Sequence, residues 1–219
     1  MKVAILYGGK SGEHEVSLSS AAFIARNLDK AHRITLIGVS KDGQWVLQSQ
    51  STLEACLESD GPLTLRTDGP QVVIAPGKGI RVFGSHGVSD LNVDIVFPVL
   101  HGTFGEDGTV QGLLECANIA YVGADVLGSA VGMDKEAAKI LWQASGLPVV
   151  PYLIARSSKT QELTKLRAEA EQRFGWPMFV KPARCGSSLG AQAVKAEADF
   201  IPAIEEAMDF ATALLCADT

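Results

Sequence analysis

Three short stretches of this 219-residue chain bring together residue types that do chemistry. The first is Gly8-Gly9-Lys10-Ser11-Gly12-Glu13-His14-Glu15, set between an apolar run and a stretch of helical spacing. A glycine loop there presents backbone N–H groups at the positive end of a helix, which suits an anion. Glu13 and Glu15, flanking His14, suit an ammonium, and an amino acid carries both groups. The loop is not a phosphate-binding P-loop, because Ala4 stands where that motif needs its first glycine. It also lacks the GxGxxG dinucleotide pattern. A tight strand-to-helix turn with a solvated acidic helix start uses the same residues and stays open beside the amino-acid reading.

The second stretch, His101-Gly102-Thr103-Phe104-Gly105-Glu106-Asp107-Gly108-Thr109-Val110-Gln111-Gly112, follows the carboxyl end of an apolar strand, Asp94–Pro98. Open parallel sheets bind ligands at such ends. Its glycines permit close backbone approach, and Glu106 and Asp107 either meet a ligand or cap the next helix. The third is the pair Lys135 and Lys181, beside the small-residue loop Gly186-Ser187-Ser188-Leu189-Gly190. Lys181 ends an apolar strand between Val180 and Pro182, where a lysine is costly without an anionic partner. Together the two lysines suit a nucleotide triphosphate. Cys185 and His86 lack chemical context and read as a small apolar residue and a loop residue.

The elements that must hold these groups follow from pattern. Val3-Ala4-Ile5-Leu6 is a strand buried on both faces, followed by a helix over Ser17–Leu28 and a strand over Arg33–Val39. Lys41–Leu47 reads as a hairpin around Asp42-Gly43. Residues 49–92 are the least regular part, with Gly and Pro scattered around short strands such as Gln71–Ile74. A short helix (Val110–Ala117) and a strand (Ala120–Val122) close a first unit, read as a parallel sheet covered on both faces. After about Gly128 the rhythm changes. Asp134 caps a helix through Gln143, Tyr152–Ala155 is a strand, and Thr164–Phe174 is a helix. Met178–Pro182 and Ala191–Val194 are strands, and a later helix turns Phe200, Ile204 and Met208 inward. Leu214-Leu215-Cys216 reads as a strand without a partner.

Composition bounds the function. With 20% charged and 47% hydrophobic residues the chain has the makings of a packed core. A net charge of −6 argues against nucleic acid and anionic membrane as partners. Four scattered cysteines give neither a disulfide framework nor a zinc site. No stretch reads as a signal peptide or membrane span, so the expected location is the cytoplasm.

Taken together, the motifs at 8–17, 101–112, Met133-Asp134-Lys135, Val180-Lys181-Pro182 and Gly186–Gly190 resemble, in order and spacing, the D-alanine–D-alanine ligase family of the ATP-grasp ligases. The resemblance implies an α/β fold: a Rossmann-like (pre-ATP-grasp) parallel-sheet domain over residues 1–128, then the first part of an ATP-grasp module over 129–219. It implies ATP-dependent ligation of two D-alanines through an acyl phosphate, for peptidoglycan precursors, with ATP and Mg²⁺ (or Mn²⁺) and a homodimer as the assembly. Glu13 would bind the first D-alanine's ammonium and hydrogen-bond Ser187. Val16 would line that subsite, and His101 would orient the carboxylate. Lys135, Lys181 and Ser188 would serve ATP, with the Ser187-Ser188 loop moving on closure. Family members extend by roughly another domain, and the resemblance puts the magnesium ligands and a phosphate-contacting arginine there, beyond Thr219. It therefore implies that these 219 residues catalyse poorly by themselves. Two further readings are a module that binds nucleotide or D-amino acid without turnover, and a ligase taking D-lactate or D-serine second.

Overall fold

Four consecutive side chains of the first strand, Ala4 to Tyr7, alternate between two cores, and this alternation sets the plan of the amino-terminal unit. The computed structural model describes residues 1–186, 189–210 and 212–217, the last five of these by backbone. They form two units, Met1–Ala130 and Val131–Thr219.

In the first unit, β1 (Lys2–Gly8) leads through α1 (His14–Asn27) to β2 (Arg33–Val39), and β2 turns back into β3 (Trp45–Leu47). Helix α2 (Gln50–Leu57) follows, then β4 (Gln71–Ala75), β5 (Gly79–Gly84) and β6 (Gly87–Leu91). β7 (Ile95–Leu100) and α3 (Thr109–Cys116) complete the unit, and α4 (Val126–Met133) leads out of it. The seven strands lie in the order β6-β5-β4-β3-β2-β1-β7. β1 pairs in parallel with β2 and β7, and β2 through β6 run antiparallel. The expected parallel sheet is thus its β2-β1-β7 core, and the remainder is a mixed-sheet extension built from residues 45–91. There the signal is half-sided: Val72 and Ile74 are buried while Val73 between them is exposed.

β1 is buried on both sides because Ile5 and Tyr7 face one core with Ala21, Ala22 and Ala25 of α1, while Ala4 and Leu6 face the other with Val110 and Leu114 of α3. The apolar residues of α3 therefore serve its own unit, leaving Leu113 exposed. The expected strand at Ala120–Val122 is a single parallel bridge, Val96 to Tyr121.

In the second unit, α5 (Lys135–Ala144) is capped by Asp134, whose carboxylate accepts the Glu136 and Ala137 N–H groups at 3.0 and 3.1 Å. β8 (Tyr152–Ala155), α6 (Thr160–Phe174), β9 (Met178–Pro182), β10 (Gln192–Val194), α7 (Glu197–Met208) and β11 (Ala213–Ala217) follow. Met178, Val180, Phe200 and Ile204 anchor its core. The sheet order is β10-β9-β11-β8, all antiparallel. Here the sequence expectation is corrected: the strand at Leu214–Cys216 lies between β9 and β8 and pairs with both. Its partners stand tens of residues earlier, a non-local pairing that local pattern does not reveal. No helix among the described residues is long and apolar enough to cross a membrane.

Candidate functional site

The chain leaves β1 toward β2 on one side, while β7 adds on the other side of β1. The carboxyl ends of β1 and β7 therefore flank a topological switch point, where open α/β sheets hold ligands. Gly8 and Leu100 are opposite one another in the register, so the loops that follow them start side by side.

Ser17, fully buried on α1, ties this corner together. Its Oγ accepts the Gly8 N–H at 2.8 Å and donates to the Val99 carbonyl. His14 is also buried, and its Nδ1 donates to the Gly9 carbonyl at 2.7 Å, so the imidazole secures the glycine turn. Ser11 joins the two loops: its Oγ donates to the His101 carbonyl at 2.6 Å and accepts the Glu13 N–H at 3.2 Å.

The two carboxylates beside His14 part ways. Glu15 is exposed and pairs with Lys41 at 3.0 Å, which holds its carboxyl below the usual range. Glu13 is half-buried and lies over Gly102, its Oε2 only 2.6 Å from where a β-carbon on that glycine would sit. Gly102 has φ +69°, so the close approach and the backbone both call for glycine. His101 is half-buried with Nε2 3.1 Å from Ser20 Oγ. Val16 stands exposed on the first turns of α1.

The acidic pair of the second loop serves the loop itself. Glu106 Oε2 accepts the Gly102 N–H at 2.7 Å. Asp107 accepts the Phe104 N–H at 2.8 Å and the Thr109 N–H at 3.0 Å, opening α3. Phe104 is left-handed (φ 67°), and its ring lies 5.0 Å from the Lys10 ammonium of the neighbouring loop. Gln111 is buried and donates to the Gly105 carbonyl at 2.9 Å. Glu13, lying over Gly102, and His101, the residue before it, bring a carboxylate and an imidazole to neighbouring positions of the two loops.

The second unit gathers the lysines. Lys135 opens α5 and Lys181 ends β9; both line a cavity of about 280 Å³ with Gly132, Met133, Cys185 and Gly186. The Lys135 ammonium donates to the Cys185 carbonyl at 2.5 Å, and its backbone N–H to the Ala183 carbonyl at 2.9 Å. Burial first, and then the Lys181 charge, push the Lys135 ammonium below its ordinary value. Among the described residues no carboxylate lines this cavity. Of the two acids beside Lys135 in sequence, Asp134 is turned to its helix and to Arg184 Nε at 2.8 Å, and Glu136 pairs with Arg156. Two crowded cations in such a lining suit an anion. Ser187 and Ser188, and with them the expected Glu13–Ser187 bond, lie outside the described residues. Among the described residues no three His, Cys, Asp or Glu are grouped to hold a metal.

Sequence reasoning did not find Ser11, Ser17 or Ser20. A serine inside the apolar stripe of α1, as Ser17 is among Ala21 and Ala25, was the available signal, since a buried hydroxyl needs partners.

Comparison with known proteins identifies the family. The family model described as D-ala D-ala ligase N-terminus matches residues 2–124, and that described as D-ala D-ala ligase C-terminus matches 141–217. A D-alanine–D-alanine ligase of Treponema pallidum (strain Nichols) is 45% identical over 212 residues, 95% of this chain and 53% of that protein. The solved ligase of Coxiella burnetii superposes with a TM-score of 0.86 at 32% identity, covering 100% of this chain and 64% of that one. The VanG D-Ala:D-Ser ligase of Enterococcus faecalis gives 0.78 at 32% identity, covering 100% of this chain and 62% of that one. The chain spans about half the length of the curated relatives it matches. Matched by the amino-terminal family model over more than half of its residues, the chain belongs to the D-alanine–D-alanine ligase family.

Proposed function

We propose that this chain supplies the first-substrate and phosphate-contacting parts of an ATP-dependent ligase that joins two D-alanines for peptidoglycan precursors. The observation that carries the reading is the joining of the Glu13 loop to the His101 loop at the β1/β7 switch point, through Ser11 and through the Glu13 carboxylate lying over Gly102. Glu13 binds the ammonium of the first D-alanine, Val16 lines its subsite, and His101 orients its carboxylate. Phosphoryl transfer from ATP turns that carboxylate into an acyl phosphate, the leaving group that a free carboxylate lacks. The amine of the second amino acid attacks, and phosphate departs. Lys135 and Lys181 neutralise charge on the phosphates, so their work is positioning and electrostatic stabilisation. Mg²⁺ accompanies ATP and is assigned no ligand among the described residues.

Calorimetric titration with D-alanine and L-alanine, beside D-alanine-dependent phosphate release from Mg-ATP, tests the reading. Heat of binding for D-alanine that disappears in Glu13→Gln is the expected result. Binding that survives Glu13→Gln, or fails to distinguish the enantiomers, overturns the assignment of Glu13. The likeness to a D-Ala:D-Ser ligase adds a second reading for the attacking amino acid, and D-serine belongs in the same titrations.

A further inference from the structure

We propose that the amino-terminal unit holds a second ligand site, for a small organic phosphate with an apolar body, at the end of the sheet opposite the Glu13 crevice. A cavity of about 990 Å³ lies where β1 and β2 begin, and its walls come from α1, α2 and the loop between α1 and β2. That volume is at the upper end of small-molecule sites. Lys2, Arg26, Lys30 and Arg33 line it, with His32 among them, and Asp29 is the one carboxylate in the lining. In a chain of net charge −6 this is a local reversal of sign.

No carboxylate among the described residues neutralises these cations in an ion pair. Arg26 is held by carbonyls instead, those of Cys56 (3.0 Å) and Gly61, which fix its guanidinium while leaving its charge uncompensated. Asp29 is engaged locally, accepting the Ala31 N–H at 2.8 Å. Asp94 accepts the Lys2 backbone N–H at 2.6 Å. His32 adds an independent sign, because its Nδ1 is buried without a hydrogen-bond partner.

The lining also holds apolar side chains: Leu28, Ile34, Leu53, Leu57 and Leu91. Leu57 is half exposed, so part of this surface is open to a ligand. Cations and apolar side chains lining one cavity match a phosphate joined to a ring, and a nucleoside monophosphate is the simplest such molecule.

The test is an amide chemical-shift titration of the 219-residue chain with AMP, and separately with inorganic phosphate. The expected result is saturable shifts concentrated at residues 28–35 and 53–57, with AMP binding more tightly than phosphate. The doubly substituted Lys30→Ala/Arg33→Ala chain, altered at two exposed positions, should bind AMP at least about tenfold more weakly. Lys181→Ala should bind AMP there unchanged, which separates this site from the proposed ATP-phosphate cavity. Shifts confined to the Lys135/Lys181 cavity, or AMP affinity unaltered by the double substitution, overturn the proposal. Equal affinity for phosphate and AMP refutes the role given to the apolar side chains of the lining.

Discussion

Replacing Gly102 by alanine separates what holds the fold from what holds the ligand. At φ +69° an L-residue pays roughly 1–2 kcal/mol for left-handed backbone. The new β-carbon would stand 2.6 Å from Glu13 Oε2 and 3.2 Å from Ser11 Cβ, so something must move. The nearest atom is the tip of a flexible side chain, and Glu13 swings aside at little cost to folding. Its carboxylate then leaves the position that meets the substrate ammonium. A hydrogen bond to a charged group contributes about 1.5–3 kcal/mol, which is roughly ten- to a hundredfold in D-alanine affinity. Gly105→Ala is the matched control. Its β-carbon would meet Leu100 at 2.6 Å on Cβ and at 2.8 Å on the backbone carbonyl, atoms of a buried strand end with no freedom to turn away. That substitution should reach or exceed the upper part of the ~1–3 kcal/mol range for overpacking. Urea unfolding of both variants gives the stabilities, and calorimetry on the folded Gly102→Ala chain gives D-alanine affinity. The reasoning fails if Gly102→Ala binds D-alanine like the parent, or if Gly105→Ala is the less destabilising of the two.

Two further outcomes follow from single contacts. Ser17→Ala strands the Gly8 N–H and the Val99 carbonyl in the core and should cost about 1–3 kcal/mol in urea unfolding; a loss no larger than that of an exposed serine such as Ser19 would show that the corner is held by other contacts. Lys135, kept below its ordinary 10.5 by burial and then by Lys181, gives up its proton in the folded chain before the unfolded chain does. Between its folded value and 10.5 the unfolded state holds more protons, so stability rises with pH across that window. Lys135→Met should flatten that rise in urea midpoints measured from neutral pH upward, and parallel curves for the two chains would refute it.

What could be read from the sequence divides along physical lines. β1 and β7 were legible because continuous apolar runs mark strands buried on both faces, and α5 because Asp134 announces its own cap. α1 begins at His14, earlier than Ser17, since the one apolar residue of its first turn, Val16, is exposed and lies off the buried stripe that a periodicity argument follows. α4 escaped notice because Gly128 and Gly132 interrupt it. In the meander, β4 is legible as the short strand at Gln71–Ile74, whereas β5 buries one face only and β6 has no buried residue, so neither stands out as an apolar run. At the site, residue types pointed to both loops, but the division of labour among their acids depends on geometry. Glu13, Glu15, Glu106 and Asp107 look alike in sequence, yet Lys41 takes Glu15 and loop backbone takes Glu106 and Asp107.

That sorting of four carboxylates bears on how the loop chemistry works. A carboxylate already accepting backbone N–H groups has less to offer an incoming ammonium, because its lone pairs are directed elsewhere. Glu106 and Asp107 are in that position, and by bonding to Gly102 and Phe104 they fix the path of the second loop. Fixing that path is what brings Gly102 beneath Glu13, and the lack of a side chain at Gly102 is what lets Glu13 lie there. The acids that do not meet substrate thus prepare the place of the one proposed to do so. Exchanging Glu106 for glutamine keeps an acceptor for the Gly102 N–H and should leave the loop in place, whereas Glu106→Ala frees that N–H and with it the register between the loop and Glu13. D-alanine affinity should therefore survive the first exchange and fall in the second, and equal losses in both would assign Glu106 a charge-dependent role at the ligand itself.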